Sequence, residues 1–173
     1  MADGTLKVGT ITNSQGSGNI AIGSGVTLLS NVPAFGAYLS VNQTVTDNAT
    51  TKAQINTEVF DTNGCYDNTT NYRFTPTVAG KYFVYFAICC EADANVINDI
   101  SVYLYKNGVE YLEVRDNPVA SERGIDVGGS NIVDFNGTTD YVEVYGRINV
   151  DSNTPSFKSS TKSTYFGAYR IGA

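Results

Sequence analysis

Histidine and tryptophan are absent from this chain, and lysine and arginine together number only 11. Without histidine there is no conventional Ser-His-Asp or Cys-His arrangement, no imidazole metal ligand and no proton shuttle near neutral pH. That weighs against an enzyme, and no catalytic residue or cofactor is expected. The basic residues stand singly against 17 acidic ones, for a formal net charge of −6. Nucleic-acid binding needs a clustered basic face and is not expected. An acidic surface mainly implies solubility. No stretch is long enough to span a bilayer, so no membrane partner is expected. The opening MADGTLKVGTITNS has no apolar signal-peptide core, so the expectation is synthesis in a cytoplasm without export by that route. The sequons at Asn42, Asn48, Asn68 and Asn136 then read as chance in an Asn/Thr-rich chain. The three cysteines, Cys65, Cys89 and Cys90, form no disulfide framework. Neighbours in an extended run point to opposite faces, so Cys89 and Cys90 read as separate buried thiols, with a strained vicinal disulfide as the alternative.

What is present is tyrosine, with 12 copies, and glycine, with 17, in a chain only 16% charged. That is the composition of a turn-rich β-sandwich. The central stretch is Phe74 to Glu91, FTPTVAGKYFVYFAICCE. Pro76 and Gly80 punctuate a turn, and residues 82–90 then run without a polar break. Short, β-branched and aromatic, the run is a strand. A strand with one wet face would alternate apolar and polar residues, and this one does not, so both of its faces need cover. Only one sheet partner lies inside a small all-β fold. The second cover is another subunit.

Around it, strands are expected over residues 34–41, 55–61, 97–105, 109–115, 125–135, 141–145 and 164–171, with Gly128-Gly129 interrupting the fifth of these. Turn signals stand at Asn63-Gly64, Asp67-Asn68, Asn107-Gly108 and Asn136-Gly137. The pattern gives eight to ten short strands, no amphipathic helix and a two-sheet sandwich. Residues 1–33 differ in texture. Leu6, Val8 and Ile11, then Ile20, Ile22, Val26 and Leu28, stand among Gly, Ser, Thr and Asn. The second group falls on even positions, one face of an extended chain. A flexible tail is one reading. A docking arm is the other, and it is the one adopted here.

The order of these signals resembles the tumour-necrosis-factor and complement globular-head superfamily. The matching pieces are Ala34-Phe35-x-Ala37-x-Leu39, Val59-Phe60, Asn63, Tyr66-Asp67, Phe74-x-Pro76, Gly80-x-Tyr82, Leu104-x-Lys106-Asn107-Gly108, Asp140-x-Val142 and Tyr165-Phe166-Gly167. The resemblance implies a jelly roll over residues 34–173 that assembles as a homotrimer. In such trimers the first, central and last strands form an inner sheet about the threefold axis. By position, Tyr85 and Tyr165 would approach the axis, with Phe83 and Tyr169 on the same face, while Tyr82, Val84, Phe86, Phe166 and Ala168 fill the core. Val84 stands where the complement-type pattern prefers Phe, and residues 136–140 are longer than that family's tight Gly-Asp turn. The Gly/Thr-rich arm also resembles small virion proteins of tailed phages, notably those infecting cyanobacteria.

Asp93, Asn95, Asn98 and Asp99 cluster in sequence and could offer oxygen ligands to calcium, but the spacing of a calcium loop is missing and Asp and Asn favour turns anyway. No metal is expected. The functional expectation is a structural protein on the exterior of a phage virion, a trimer that decorates or cements the capsid through its arm. Its partner would be the major capsid protein or another virion protein. The alternative is a receptor-binding adhesin at a tail or fibre tip, reading host glycans with its loops. A soluble trimeric ligand of cellular origin fits less well without a signal peptide.

Overall fold

The computed structural model describes residues 32–94, 96–159 and 163–172, together with Ser24. Of the expected arm only Ser24, Val32 and Pro33 are among them, so Leu6, Val8, Ile11, Ile20, Ile22, Val26 and Leu28 lie outside the described residues. The described residues form strands and no helix, in the order β1 (Ala34–Tyr38), β2 (Gln43–Thr44), β3 (Thr51–Lys52), β4 (Thr57–Asp61), β5 (Tyr66–Asp67), β6 (Arg73–Phe74), β7 (Gly80–Glu91), β8 (Ile97–Lys106), β9 (Val109–Asp116), β10 (Gly124–Phe135), β11 (Val142–Val150), β12 (Ser156–Phe157) and β13 (Tyr165–Gly172).

β7 is the centre of the first, inner sheet. One of its edges pairs with β10 along its full 12 residues, from Gly80↔Phe135 to Glu91↔Gly124. Its other edge takes β13 from Lys81 to Ala87 and β12 at Cys90 and Glu91. β13 pairs in turn with β1, β12 with β2, and β4 closes the far edge against β1. The outer sheet has the order β5-β6-β11-β8-β9, with β3 also on β11. Every pairing is antiparallel, and the two sheets make the sandwich that the strand count implied, in the jelly-roll form that the resemblance implied.

The core follows from period-two alternation. Tyr82, Val84, Phe86, Ile88 and Cys90 of β7 are buried with Phe166 and Ala168 of β13, and they share one cluster with Val102 and Leu104 of β8 and Val144 and Ile148 of β11. Phe35 of β1 lies between Tyr66 and Phe74, stacked at 4.5 and 4.6 Å between centroids, with Phe166 edge-on at 4.9 Å. The Tyr66 hydroxyl donates to the Ile55 carbonyl at 2.7 Å, which satisfies its polar tip inside the core.

Several boundaries differ from the sequence expectation. β11 continues past Tyr145 to Val150 because Ile148 and Val150 keep the inward phase, and Gly146 leaves room for the Phe157 ring, which a Cβ there would meet at 2.8 Å. Gly128-Gly129 does not interrupt β10. A Cβ on Gly129 would come within 2.7 Å of Val114, so the position is small where the two sheets close on each other. β1 stops at Tyr38, and Val41 is exposed. The two-residue strands β2, β3, β5 and β12 lie in stretches that read as loop. Asn107 and Gly108 both have positive φ, 54° and 77°, as a type I′ hairpin requires.

Three loop or strand-end carboxylates are held below the usual carboxylate range. For Asp67 the cause is first the N–H of Thr70, at 2.9 Å, helped by those of Thr69 and Asn71. For Asp140 it is first the side-chain amide of Asn107, at 2.8 Å. For Asp99 burial favours the neutral form, but hydrogen bonds from Asn149 and Arg147 outweigh it. A carboxyl with a lower pKa folded than unfolded stabilises the fold above its unfolded value and loses that stability as pH falls through the folded value. The urea midpoint should therefore be level near neutral pH and fall below about pH 4. Asp67→Asn should lower the neutral plateau and flatten the acid limb, as urea titrations across pH would read.

Candidate functional site

The side chains of β7 that do not enter the core point to the other face of the inner sheet. Phe83, Tyr85, Ala87 and Cys89 lie there in register with Ile132, Ser130, Gly128 and Asp126 of β10. On the other side, Phe83, Tyr85 and Ala87 are in register with Tyr169, Gly167 and Tyr165 of β13. Gly36 and Tyr38 of β1 continue the rows of Gly167 and Tyr165, and Phe60 of β4 is opposite Gly36.

The rings converge. Phe83 and Tyr85 have centroids 6.3 Å apart, Phe83 and Tyr169 5.5 Å, and Tyr85 and Tyr165 6.1 Å. Two glycines let the rings lie flat on the sheet. A Cβ on Gly167 would sit 2.3 Å from the Tyr85 ring, and one on Gly36 would sit 2.9 Å from the Phe60 ring. The four aromatics nominated from sequence, Phe83, Tyr85, Tyr165 and Tyr169, are thus one patch, which Tyr38, Phe60 and Ile132 extend. Tyr169, Phe60 and Ile132 keep 47%, 46% and 50% of their surface in solvent. These large apolar groups open together onto one face of the sheet. Only the bulge between Gly36 and Ala37, which no sequence signal announces, explains why Phe60 reaches it.

Tyr85 and Tyr165 form a ridge between two hollows. One, of about 250 Å³, lies against Gly36, Val59 and Phe60. The other, of about 470 Å³, has Ala87 and Gly128 in it and Asp126 and Ser130 on its far side. Burial, and then the neighbouring hydroxyls of Tyr165 and Tyr169, raise the Tyr85 phenol above its ordinary pKa. Cys89 is half-buried at the upper end, where burial and then the Asp126 carboxylate push its thiol up to about 12. All three cysteines are free. Ion pairs close both ends of the patch, Lys81–Asp134 at 3.4 Å below and Lys158–Glu91 above. An apolar centre with a charged rim is the anatomy of a protein interface.

Within the sequence cluster, Asp99 and Asn98 are engaged, while Asp93 is exposed. The Asp99 carboxylate receives Arg147, Arg115 and the Asn149 amide, and the Asn98 amide donates to Asp151 at 2.6 Å. Asn95 lies outside the described residues. Among the described residues no three His, Cys, Asp or Glu side chains are grouped as a metal site would need.

No family model matches this chain, and no curated protein matches it in sequence. Solved structures do match in fold. Eiger, a tumour necrosis factor from S. frugiperda, superposes with a TM-score of 0.61 at 10% identity, over 83% of this chain and 94% of its own. Murine APRIL gives 0.58 at 10% identity, over 80% and 98%. The globular domain of zebrafish complement 1qA gives 0.56 at 15% identity, over 81% and 97%. The chain is similar to these proteins in fold.

Gly167→Ala tests the packing of the patch. The new methyl must push the Tyr85 ring off the sheet, and such overpacking typically costs about 1–3 kcal/mol. The expected outcome is a lower urea midpoint together with a weakened near-UV tyrosine signal, while the far-UV β spectrum is kept.

Proposed function

We propose that the chain forms a homotrimer through the aromatic face of its inner sheet, and that the trimer is a structural protein on the exterior of a phage virion. There it decorates or cements the capsid, attached by residues 1–33 after synthesis in the host cytoplasm. The observation that carries the trimer is the patch of Phe83, Tyr85, Tyr165 and Tyr169 with hollows on either side of its ridge. These rings are already partly buried, so covering what each still exposes contributes about half of the roughly 1.5–3 kcal/mol of a full burial, which goes toward the cost of association. The jelly-roll likeness to tumour necrosis factor and complement heads supports the same face as the one that assembles.

A closed threefold unit leaves its arms free to reach other molecules. An extended chain would carry Ile20, Ile22, Val26 and Leu28 on one face, too few to fold alone. Three arms on one trimer would engage together, so modest contacts become firm attachment through effective concentration.

Two experiments test this reading. Light scattering at micromolar concentration should give a trimer, and Tyr85→Glu should give monomers or aggregates. A monomeric wild type would end the proposal. Deleting residues 2–33 should leave a trimer that is lost from particles, which then resist heat and osmotic shock less well. Should particles keep the truncated chain, or should they lose adsorption with shell stability unchanged, the adhesin reading replaces the cement reading.

A further inference from the structure

The two ends of the sandwich differ in what they carry. The chain comes into the head at Val32 and Pro33, beside the turns at residues 75–80 and 136–141. There Thr62 Oγ1 donates to the Val32 carbonyl at 2.9 Å, and Arg170 donates to the carbonyls of Pro33 and Ala79 at 3.3 and 3.1 Å. The opposite end is built from segments 39–50, 117–123 and 151–159. Side chains cross-tie these segments. Arg147 joins Asn48 to Asp99, Arg115 joins Asp99 to Asn117, and Asn98 joins Ser121 to Asp151. Loops fixed on a rigid scaffold are where proteins place recognition.

Between residues 44–47 and 153–155, at this end, lies a hollow of about 400 Å³. Val45 and Pro155 are buried beneath it, joined by the Val45 N–H donating to the Pro155 carbonyl at 3.0 Å. Thr44, Thr46, Asp47, Asn153 and Thr154 stand exposed around it. The Asn side chains of the cross-ties are engaged. By contrast, among the described residues the side chains of Thr44, Thr46, Asn153 and Thr154 hold no hydrogen bond. One Asp47 oxygen accepts from the Val150 N–H at 2.9 Å, leaving the other directed to solvent or ligand. No lysine or arginine lines the hollow.

We infer that this hollow is a carbohydrate subsite that takes one neutral hexose or N-acetylhexosamine unit of a surface polysaccharide. A sugar ring has a hydroxylated perimeter, which matches a rim of hydroxyls, an amide and a carboxylate. The volume lies in the range of small-ligand sites. With a carboxylate and no cation in the lining, an acidic sugar is disfavoured. That the subsite faces away from the shell rests on the arm being the anchor; its chemistry does not.

The test is a backbone-amide NMR titration of the full-length protein with glucose, galactose, mannose and N-acetylglucosamine in turn, and with N-acetylneuraminic acid as the acidic comparison. At least one neutral sugar should shift the amides of residues 44–47 and 153–154 saturably in the millimolar range, and the acidic sugar should not. Thr46→Ala combined with Asn153→Gly removes two rim groups. Gly is chosen because Asn153 has φ 68°. The pair should weaken binding about tenfold and leave the rest of the spectrum unchanged. Absence of any saturable shift into the tens of millimolar, shifts on the aromatic face instead, tighter binding of the acidic sugar, or binding indifferent to the double variant would each overturn the inference. Sugar binding is measured without a shell, so its failure leaves the attachment reading standing. Loss of attachment would equally leave the sugar result standing.

Discussion

A strand that is apolar on both faces has to be covered twice, and β7 is that strand. Its even-numbered side chains fill the sandwich and its odd-numbered ones lie outside it. The rest of the architecture follows from satisfying both. β10 and β13 flank it, one along its full length and one along most of it, and each contributes inward residues to the core and outward residues to the patch. The chain's own cover on the outward side goes only part of the way, leaving Phe83 and Tyr85 half-buried. Packing inside the subunit and the proposed packing between subunits would then be two halves of one requirement.

That coupling makes register decisive. A one-residue slip of β7 would exchange Tyr82, Val84 and Phe86 for Phe83 and Tyr85, sending the patch inward and the core outward. Gly36 and Gly167 set the same register from their side, because rings can lie flat only where the opposing residue has no side chain. In the inner sheet β10 closes over twelve residues without a shift, while the shifts fall in β1–β4 pairing and at the end of β13. Irregularity is kept to the margins of the sheet.

The sequence carried the central strand plainly, because residues 82–90 are an apolar run too short for a helix and too aromatic for a loop. The core and patch assignments of residues 82–86 needed only alternation, and Tyr165 and Tyr169 needed the same phase in β13. What stayed out of sight was polar or distant. Arg147 and Asn149 hide the continuation of β11 because its outward positions there are polar. β2 and β12 pair with each other across more than a hundred residues through two-residue contacts, and no local pattern encodes such a pairing. The hollow between residues 44–47 and 153–155 was hidden for the same reason, since its two sides meet only through that pairing. Gly128-Gly129 misled, because a glycine that makes room for Val114 looks in sequence like one that ends a strand.

The position of β13 between β1 and β7 also sets an order in time. β1 reaches the central strand only through residues 165–172, so the inner sheet stays split into two pieces until those residues have left the ribosome. A hairpin of β8 and β9 can form early, but the ring stack of Phe35, Tyr66, Phe74 and Phe166 cannot be completed before then. Pairings this remote in sequence are slow to close. During that interval β7 lacks its partner along residues 81–87 of one edge, and such incompletely paired apolar strands are prone to aggregation. The inner sheet of this head is therefore complete only once residues 165–172 are available, and a chain stopped anywhere before residue 165 yields no smaller version of it.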